Sequence, residues 1–302
     1  MREGSSITVS KKLLRGIVLC LIIVSVLFVN RIRGAEQFTN NVTLNASGKI
    51  KVHFIDVGQA DCILIQSNSQ NMLIDAGNND DGELVVRYLH DNGVTKLDYV
   101  IGTHAHEDHI GSLDTVIQYF EIGILFLPDQ TYETKSYADV LEMADVNQVR
   151  IVHPQFKDTY ALGEARFIFI MPNADREYTD LNDSSLGIRI SNGKHSFLLC
   201  GDASKEMERE FIDSKVFLKS DVLKLNHHGS SDANCKDFLK AVDPRFAVIT
   251  CGVDNDYGHP HKSVMKRLRK LDIDVFRTDM SGTVIFTSDG DGLICNVSPT
   301  EE

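Results

Sequence analysis

From residue 50 onward, apolar and polar residues alternate in short runs separated by turn residues. Ile50, Val52 and Phe54 take turns with Lys51 and His53, the period-two pattern of a strand with unlike faces. The pattern predicts strands over 50–57, 62–66, 71–75, 97–102 and 124–127, with helical periodicity over 82–91, 110–120 and around 136–146. The second half has the same style. Strands are predicted at 165–170, 186–191, 196–200, 222–225, 246–251, 275–277, 283–287 and 293–297. Helices are predicted at 204–214, 234–242 and 262–271. Ser191-Asn192-Gly193-Lys194 is a strong hairpin turn between two of these strands. Strands alternating with helices, plus hairpins in each half, predict an α/β fold (α+β in some schemes) of mixed sheets covered by helices. No proline-rich linker divides residues 50–298, which read as one domain.

The start of the chain follows different rules. Residues 16–29 form a charge-free apolar run preceded by Lys11, Lys12 and Arg15. It is shorter than the roughly 20 residues of a full span, and no small-residue cleavage site follows, because Arg31-Ile32-Arg33 stands there. Residues 1–34 are therefore expected to be a signal anchor, with a cleaved signal peptide as the alternative. Residues 35–49, polar and aperiodic, read as a tether. The body would then sit at the cell membrane on the outer side, or be secreted.

Composition changes this picture little, but charge sharpens it. The 302 residues are 42% hydrophobic and 25% charged, which excludes collagen-like and fully disordered classes. The first 34 residues hold six of the 31 Lys/Arg and one of the 43 acids, leaving the remainder at −17. So acidic a body lacks the broad basic field of a non-specific nucleic-acid binder, and no stable nucleic-acid partner is implied. It leaves room for an enzyme whose metal ions meet a phosphate. Cys20 lies in the apolar run. Cys62, Cys200, Cys235, Cys251 and Cys295 show no paired spacing, and read as small buried hydrophobes rather than a disulfide framework.

The candidate chemistry is concentrated in histidine. Seven of the eleven histidines fall into three clusters. Thr103-His104-Ala105-His106-Glu107-Asp108-His109 follows an apolar strand directly, and its imidazoles and carboxylate are the donors that zinc or manganese accepts. Alternation lets His104 and His106 point one way, while Asp108 and His109 address a second position. Leu225-Asn226-His227-His228-Gly229-Ser230 also follows an apolar strand. Its adjacent histidines point apart, so one is expected to bind metal and the other to support a ligand from behind or to meet substrate. In Tyr257-Gly258-His259-Pro260-His261, His259 is the better ligand candidate. Asp202, delivered by Cys200-Gly201 at a strand end, can bridge two cations. Asp75 is expected to orient a ligand imidazole from behind, and Asp56 either to cap a turn or to lie near the site.

His104-x-His106-x-Asp108-His109, Gly201-Asp202 and a later histidine resemble the metallo-β-lactamase-fold hydrolases. Asp56-Val57-Gly58-Gln59-Ala60-Asp61, Asn182-Asp183-Ser184-Ser185-Leu186, Leu223-Lys224-Leu225-Asn226-His227-His228-Gly229-Ser230 and Tyr257-Gly258-His259-Pro260-His261 narrow the resemblance. They are similar to the hydrolase domain of ComEC and its stand-alone relatives, which include a cell-surface choline-phosphate esterase. The resemblance covers about residues 50–290 in the same order. It implies a four-layer αββα sandwich with two divalent cations, zinc or manganese, at one edge of the sheets. Two departures stand out. The interval before Asp202 offers only His153 and His195, both expected to be structural, so the missing ligand is expected from His227-His228. ComEC's channel-forming membrane part is absent, so DNA uptake does not carry over.

The expected set is therefore His104, His106 and His228 on one metal and Asp108, His109 and His259 on the other. Asp202 would bridge them, with Asp108 and His227 taking part in the chemistry. The leading expectation is a phosphodiesterase acting on nucleic acid or a cell-surface phosphodiester. The alternatives are a lactone, lactam or thioester hydrolase and, in another class, a non-catalytic surface binding protein stabilised by metal.

Overall fold

A computed structural model describes residues 48–170 and 178–301. The apolar run at 16–29 and nearly all of the expected tether lie outside the described residues. Among the described residues no helix is long and apolar enough to cross a membrane.

Alternation builds two sheets. The first contains β1 (Ile50–Phe54), β2 (Ile63–Ser67), β3 (Gln70–Ile74), β4 (Lys96–Ile101), β5 (Glu121–Phe126) and β6 (Ile151–Val152). The second contains β7 (Thr159–Leu162), β8 (Ala165–Ile170), β9 (Gly187–Asn192), β10 (His195–Leu199), β11 (Val222–Lys224), β12 (Phe246–Ile249) and β13 (Asp274–Arg277). The chain then returns to the first sheet as β14 (Val284–Ser288) and β15 (Leu293–Cys295). Among the described residues the orders are β15-β14-β1-β2-β3-β4-β5-β6 and β13-β12-β11-β10-β9-β8-β7.

The period of two sorts side chains into layers. Ile63 and Ile65 of β2, with Met72 and Ile74 of β3, face Phe197 and Leu199 of β10 across the space between the sheets. Leu64 and Leu73 turn outward to pack with Val85, Leu89, Val116 and Val140. These belong to α1 (Gly82–Asp91), α3 (Leu113–Tyr119) and α4 (Lys135–Val146), α2 being Glu107–Ile110. On the far side, Leu198, Leu223, Ala247 and Ile249 pack with Phe211, Phe238 and Leu268. Those come from α5 (Lys205–Asp213), α6 (Lys236–Val242) and α7 (Lys262–Lys270); a last short helix, α8, is Thr278–Ser281. The result is the four-layer αββα sandwich.

The helix expected over 110–120 is broken at Gly111-Ser112. A Cβ at Gly111 would stand 2.5 Å from both the Asn79 nitrogen and the Glu107 carbonyl oxygen, so the chain passes its neighbours too closely for a side chain. Two short strands, β6 and β7, were not predicted. Of the cysteines, Cys62, Cys200 and Cys251 are buried, Cys235 and Cys295 are half-buried, and all five are free thiols.

In both sheets the later-paired strands are parallel: β3 to β6 in the first and β10 to β13 in the second. Parallel strands end at the same edge, where crossover loops leave a crevice beyond their carboxyl ends. Asp75, Thr103, Gly201, Asn226 and Thr250 each lie one or two residues past such an end.

Candidate metal centre

β4 runs into Thr103-His104-Ala105-His106, and His106 in extended conformation opens α2 (φ −79°, ψ 149°). The first turn of α2 then carries Asp108 and His109. His109 is fully buried and its Nδ1 lies 2.8 Å from Asp75 Oδ2. Asp75 itself sits at φ +56° and accepts from the Thr103 amide (2.8 Å) and hydroxyl (2.7 Å). With Nδ1 engaged by a carboxylate, His109 turns its Nε2 inward, toward Asp202 Oδ1 at 3.3 Å. Asp75 thus stands behind the imidazole, where a carboxylate fixes ring orientation.

His228 reaches the same point from the other sheet. After β11 the chain makes a tight turn in which both His227 (φ 49°) and His228 (φ 51°) occupy the left-handed region, a conformation that non-glycine residues rarely adopt. A polar clasp holds the turn. Glu208, wholly buried, accepts from Asn226 Nδ2 (3.0 Å), the Asn234 amide (2.5 Å) and the Cys235 amide (2.7 Å). Asn234 Oδ1 in turn accepts from the Asn226 amide (3.0 Å). His228 Nδ1 donates to the Thr250 carbonyl (2.8 Å), because that oxygen can only accept. Its Nε2 then stands 3.3 Å from Asp108 Oδ2 and 3.5 Å from Asp202 Oδ2.

Asp108, His109, Asp202 and His228 each offer one ligand atom, and these atoms lie within 4.8 Å of one another. His109 Nε2, His228 Nε2 and Asp202 Oδ1 are buried without a hydrogen-bond partner. Orphaned polar atoms converging on one point are what a cation site requires, so the donors fit a divalent ion. Charge agrees. Burial works against a charge on His109, but Asp202, Asp75 and Asp108 outweigh it and hold its pKa well above the ordinary value. Burial likewise opposes charge on His228, and Asp202 and Asp61 overcome it, raising its pKa. Burial would raise Asp202, but His109 and His228 pull it well below the usual carboxylate range. The carboxylates that favour charge on these imidazoles would equally favour a bound cation.

The expectation grouped His228 with His104 and His106; with its Nδ1 held by the Thr250 carbonyl just past β12, its Nε2 stands beside Asp108 and Asp202 and within the same group as His109. His104 is buried with Nδ1 beside Thr103 Oγ1 (3.1 Å) and Ser185 Oγ (3.3 Å), and its Nε2 lies 3.0 Å from His106 Nδ1. Burial, then the neighbouring His109, puts its pKa well below the ordinary histidine value. His259 stands outside the four-residue group. Gln59 Oε1 accepts from the Gly252 amide (3.1 Å), so its Nε2 is aimed at His259 Nδ1 at 3.3 Å. His227 Nε2 is 3.7 Å from Asp202 Oδ2, and burial lowers its pKa. His106, Asp108, Asp202, His227, His228 and His259 line one pocket of about 500 Å³. Asp56 accepts from the Gly58 amide (3.2 Å) in its own turn. His153 bonds the Leu127 and Pro128 carbonyls, and His195 the Asp291 carbonyl, all away from the pocket.

Two further residues belong to the site, although their sequence context assigns them no role. Lys224, at the end of β11, is wholly buried and pairs with Asp61, also buried. Its Nζ donates to the Gly201 carbonyl at 3.3 Å and lies 3.8 Å from Asp202 Oδ1. Burial opposes its charge, yet Asp61 and Asp202 raise its pKa. Asp61 also accepts from the Thr250 hydroxyl and lies 3.5 Å from His228 Nδ1. One signal was present: a lysine inside the apolar run Val222-Leu223-Lys224-Leu225 is rarely buried unless paired.

Comparison with known proteins bears on this site. Residues 55–253 match the family model described as the metallo-beta-lactamase superfamily. The chain is 31% identical to ComE operon protein 3 of Bacillus subtilis, over 79% of this chain and 33% of that protein. It is 31% identical to Recombination protein 2 of Haemophilus influenzae, over 78% of this chain and 28% of that one. The chain thus spans about a third of the length of the curated relatives it matches, several of which are ComEC-like proteins. Among solved structures, the metallo-beta-lactamase fold protein YhfI from Bacillus subtilis aligns over 80% of this chain and 100% of its own, with 16% identity and a TM-score of 0.52.

Proposed function

The chain belongs to the metallo-beta-lactamase superfamily, and from that premise we propose that it is a metal-dependent phosphodiesterase acting on nucleic acid or a cell-surface phosphodiester. One observation carries the reading: three buried ligand atoms, on His109, His228 and Asp202, converge without hydrogen bonds, and two of these residues, His228 and Asp202, line an open pocket. Asp108, His109, Asp202 and His228 would hold one divalent cation. His104 and His106 would contribute to a second, with Asp202 shared and His259 at the rim. Zinc suits this mixture of imidazole and carboxylate, and manganese is the other candidate. Bound there, a pair of cations would polarise a phosphoryl oxygen and make water a competent nucleophile near neutral pH.

The chain's own groups do the rest. Asp108, whose carboxyl is held low by His109 and His228 against the effect of burial, stays ionised and faces the pocket. His227, kept neutral by burial, faces the same space and is placed to exchange a proton with a substrate oxygen. We place the domain at the outer surface of the cell membrane, held by residues 1–34, or in the medium if that segment is cleaved. Bis-p-nitrophenyl phosphate hydrolysis that needs added divalent metal and stops with chelator is the expected result. Rapid hydrolysis of nitrocefin or a lactone, with every phosphodiester left intact, would overturn the reading.

A further inference from the structure

A second cavity, of about 570 Å³, lies between α6 and α7 on the outer face of the second sheet. Lys236 and Lys240 line it from α6; Ser263, Lys266, Arg267 and Lys270 line it from α7. Among the described residues no carboxylate lines it, on a protein whose formal charge is −12. The four lysines are exposed, and among the described residues no ion pair involves them. α7 has the sequence KSVMKRLRK, with five cations and no acid. Basic residues near its carboxyl end suit the helix dipole, but Lys236, first residue of α6, is at the end where a cation is disfavoured.

The groove has a defined shape. Arg267 Nη1 donates to the Asn234 carbonyl, tying α7 to the turn before α6. At about 1.5 Å rise per residue, Lys236 and Lys240 stand about 6 Å apart along one wall, and Lys266 and Lys270 about 6 Å apart along the other. Lysines from two helices around one cavity, with no carboxylate lining it among the described residues, suit a flexible chain of phosphates. A membrane surface asks for something else: a flat or convex face with apolar residues to insert. Here Val264, Met265 and Leu268 of α7 are buried inward, and none of the exposed large hydrophobic residues lies on either helix. The groove also adjoins the metal pocket in sequence, since Ser263 is four residues beyond His259.

We infer that this groove binds the phosphate backbone of single-stranded nucleic acid and guides it toward the metal pocket. The binding is local, transient and salt-sensitive, and so compatible with the acidic charge of the whole. Its catalytic consequence rests on the phosphodiesterase reading; the binding itself does not.

The test uses a fluorescein-labelled oligothymidylate and full-length protein in detergent, measuring anisotropy with chelator present so that no turnover occurs. Joint replacement Lys236→Gln, Lys240→Gln and Lys266→Gln should weaken binding about tenfold or more. The slope of log affinity against log salt should fall by about 0.7 for each phosphate that is no longer neutralised. Thermal unfolding and turnover of bis-p-nitrophenyl phosphate should match the parent. Unchanged oligonucleotide affinity would overturn the inference. So would an equal loss on neutralising Lys49, Lys157 and Lys215, which lie outside the groove. A variant that loses binding to phosphatidylserine vesicles but keeps the oligonucleotide would also overturn it, in favour of a membrane. If the parent binds the oligonucleotide through the groove but hydrolyses no phosphodiester, the activity reading falls and the groove stands.

Discussion

The buried ammonium of Lys224 sets the electrostatics of the site at the level of single residues. It lies between Asp61 and Asp202, and removing it takes the paired cation from Asp61 and a neighbouring positive charge from Asp202 in a closed space. Breaking a buried pair from one side costs about 3–5 kcal/mol. Lys224→Met should therefore lower unfolding stability by about that amount in urea titration of the metal-free protein, and Asp61→Asn added to it should restore part. A Lys224→Met protein as stable as the parent would rule out a stabilising role for the pair. The ligands separate in the same way. His228→Ala removes an orphaned, buried nitrogen from the four-residue group, so metal content should drop by up to one equivalent per chain. His227→Ala should keep its metal and lose rate. The reverse pattern in elemental analysis would exchange their roles. Because neighbouring carboxylates raise His109, its proton persists to higher pH than on a free imidazole, and metal must displace it. Occupancy should therefore fall as pH falls, and metal loading should release protons measurable by calorimetry in buffers of different ionisation enthalpy. Two of the three histidine clusters were legible because polar groups crowd directly after apolar strands; the third, around His259, stood out by its paired histidines beside a proline. Asp61 and Lys224 were not assigned, since a single charge in a turn or strand looks the same whether it meets water or a buried partner.

At the scale of elements, alternation identified most strands and the layer each side chain enters. It failed where the determinant was another part of the chain. The break at Gly111 comes from the close passage of residues 78–79, which no local period reports. β6 and β7 are short and only partly buried, so their pattern is faint. The turn at His227–His228 belongs to the same class. Its left-handed backbone is held by Glu208 from α5, so Glu208→Ala should orphan three donors, at about 1–3 kcal/mol for each one left buried. Metal affinity should fall with it, while Glu208→Gln, which keeps an acceptor oxygen, should retain more of both. Equal metal affinity in the two variants would detach the clasp from the site. A second element-level test concerns β1. His53 is buried against Tyr88 of α1 (Nδ1 to hydroxyl 2.8 Å), and its Nε2 has no partner. Burial, then Lys51, lowers its pKa to about 4. Folding therefore favours the neutral ring. That contribution is complete above the unfolded value of about 6.5 and is lost as pH falls from there to about 4, at most about 3 kcal/mol. His53→Leu should flatten stability across that interval, and an unchanged slope in denaturant titrations would refute the assignment.

On the scale of the whole molecule, Ala46–Glu302 forms one compact unit, and every residue assigned to the metal pocket, the clasp and the basic groove lies within it. The N-terminal 34 residues differ in charge as well as in pattern, with six basic side chains and one acid ahead of a body at −17. Basic residues before an apolar run favour an inside-facing terminus, which would leave the acidic body outside the cytoplasm. The two parts should therefore be separable. Deleting residues 1–34 should release a soluble protein with the parent's metal content and the parent's rate on a small phosphodiester. No side chain of the pocket is lost, and among the described residues the first strand, β1, begins at Ile50. The full-length chain should sediment with membranes, dissolve in detergent, and be cut by protease added to intact cells. A full-length protein found wholly in the cytosolic fraction, or sheltered from external protease, would reject the outer-surface placement. A truncated protein that is soluble but cannot hold metal would instead mean that the leader contributes to the fold of the site.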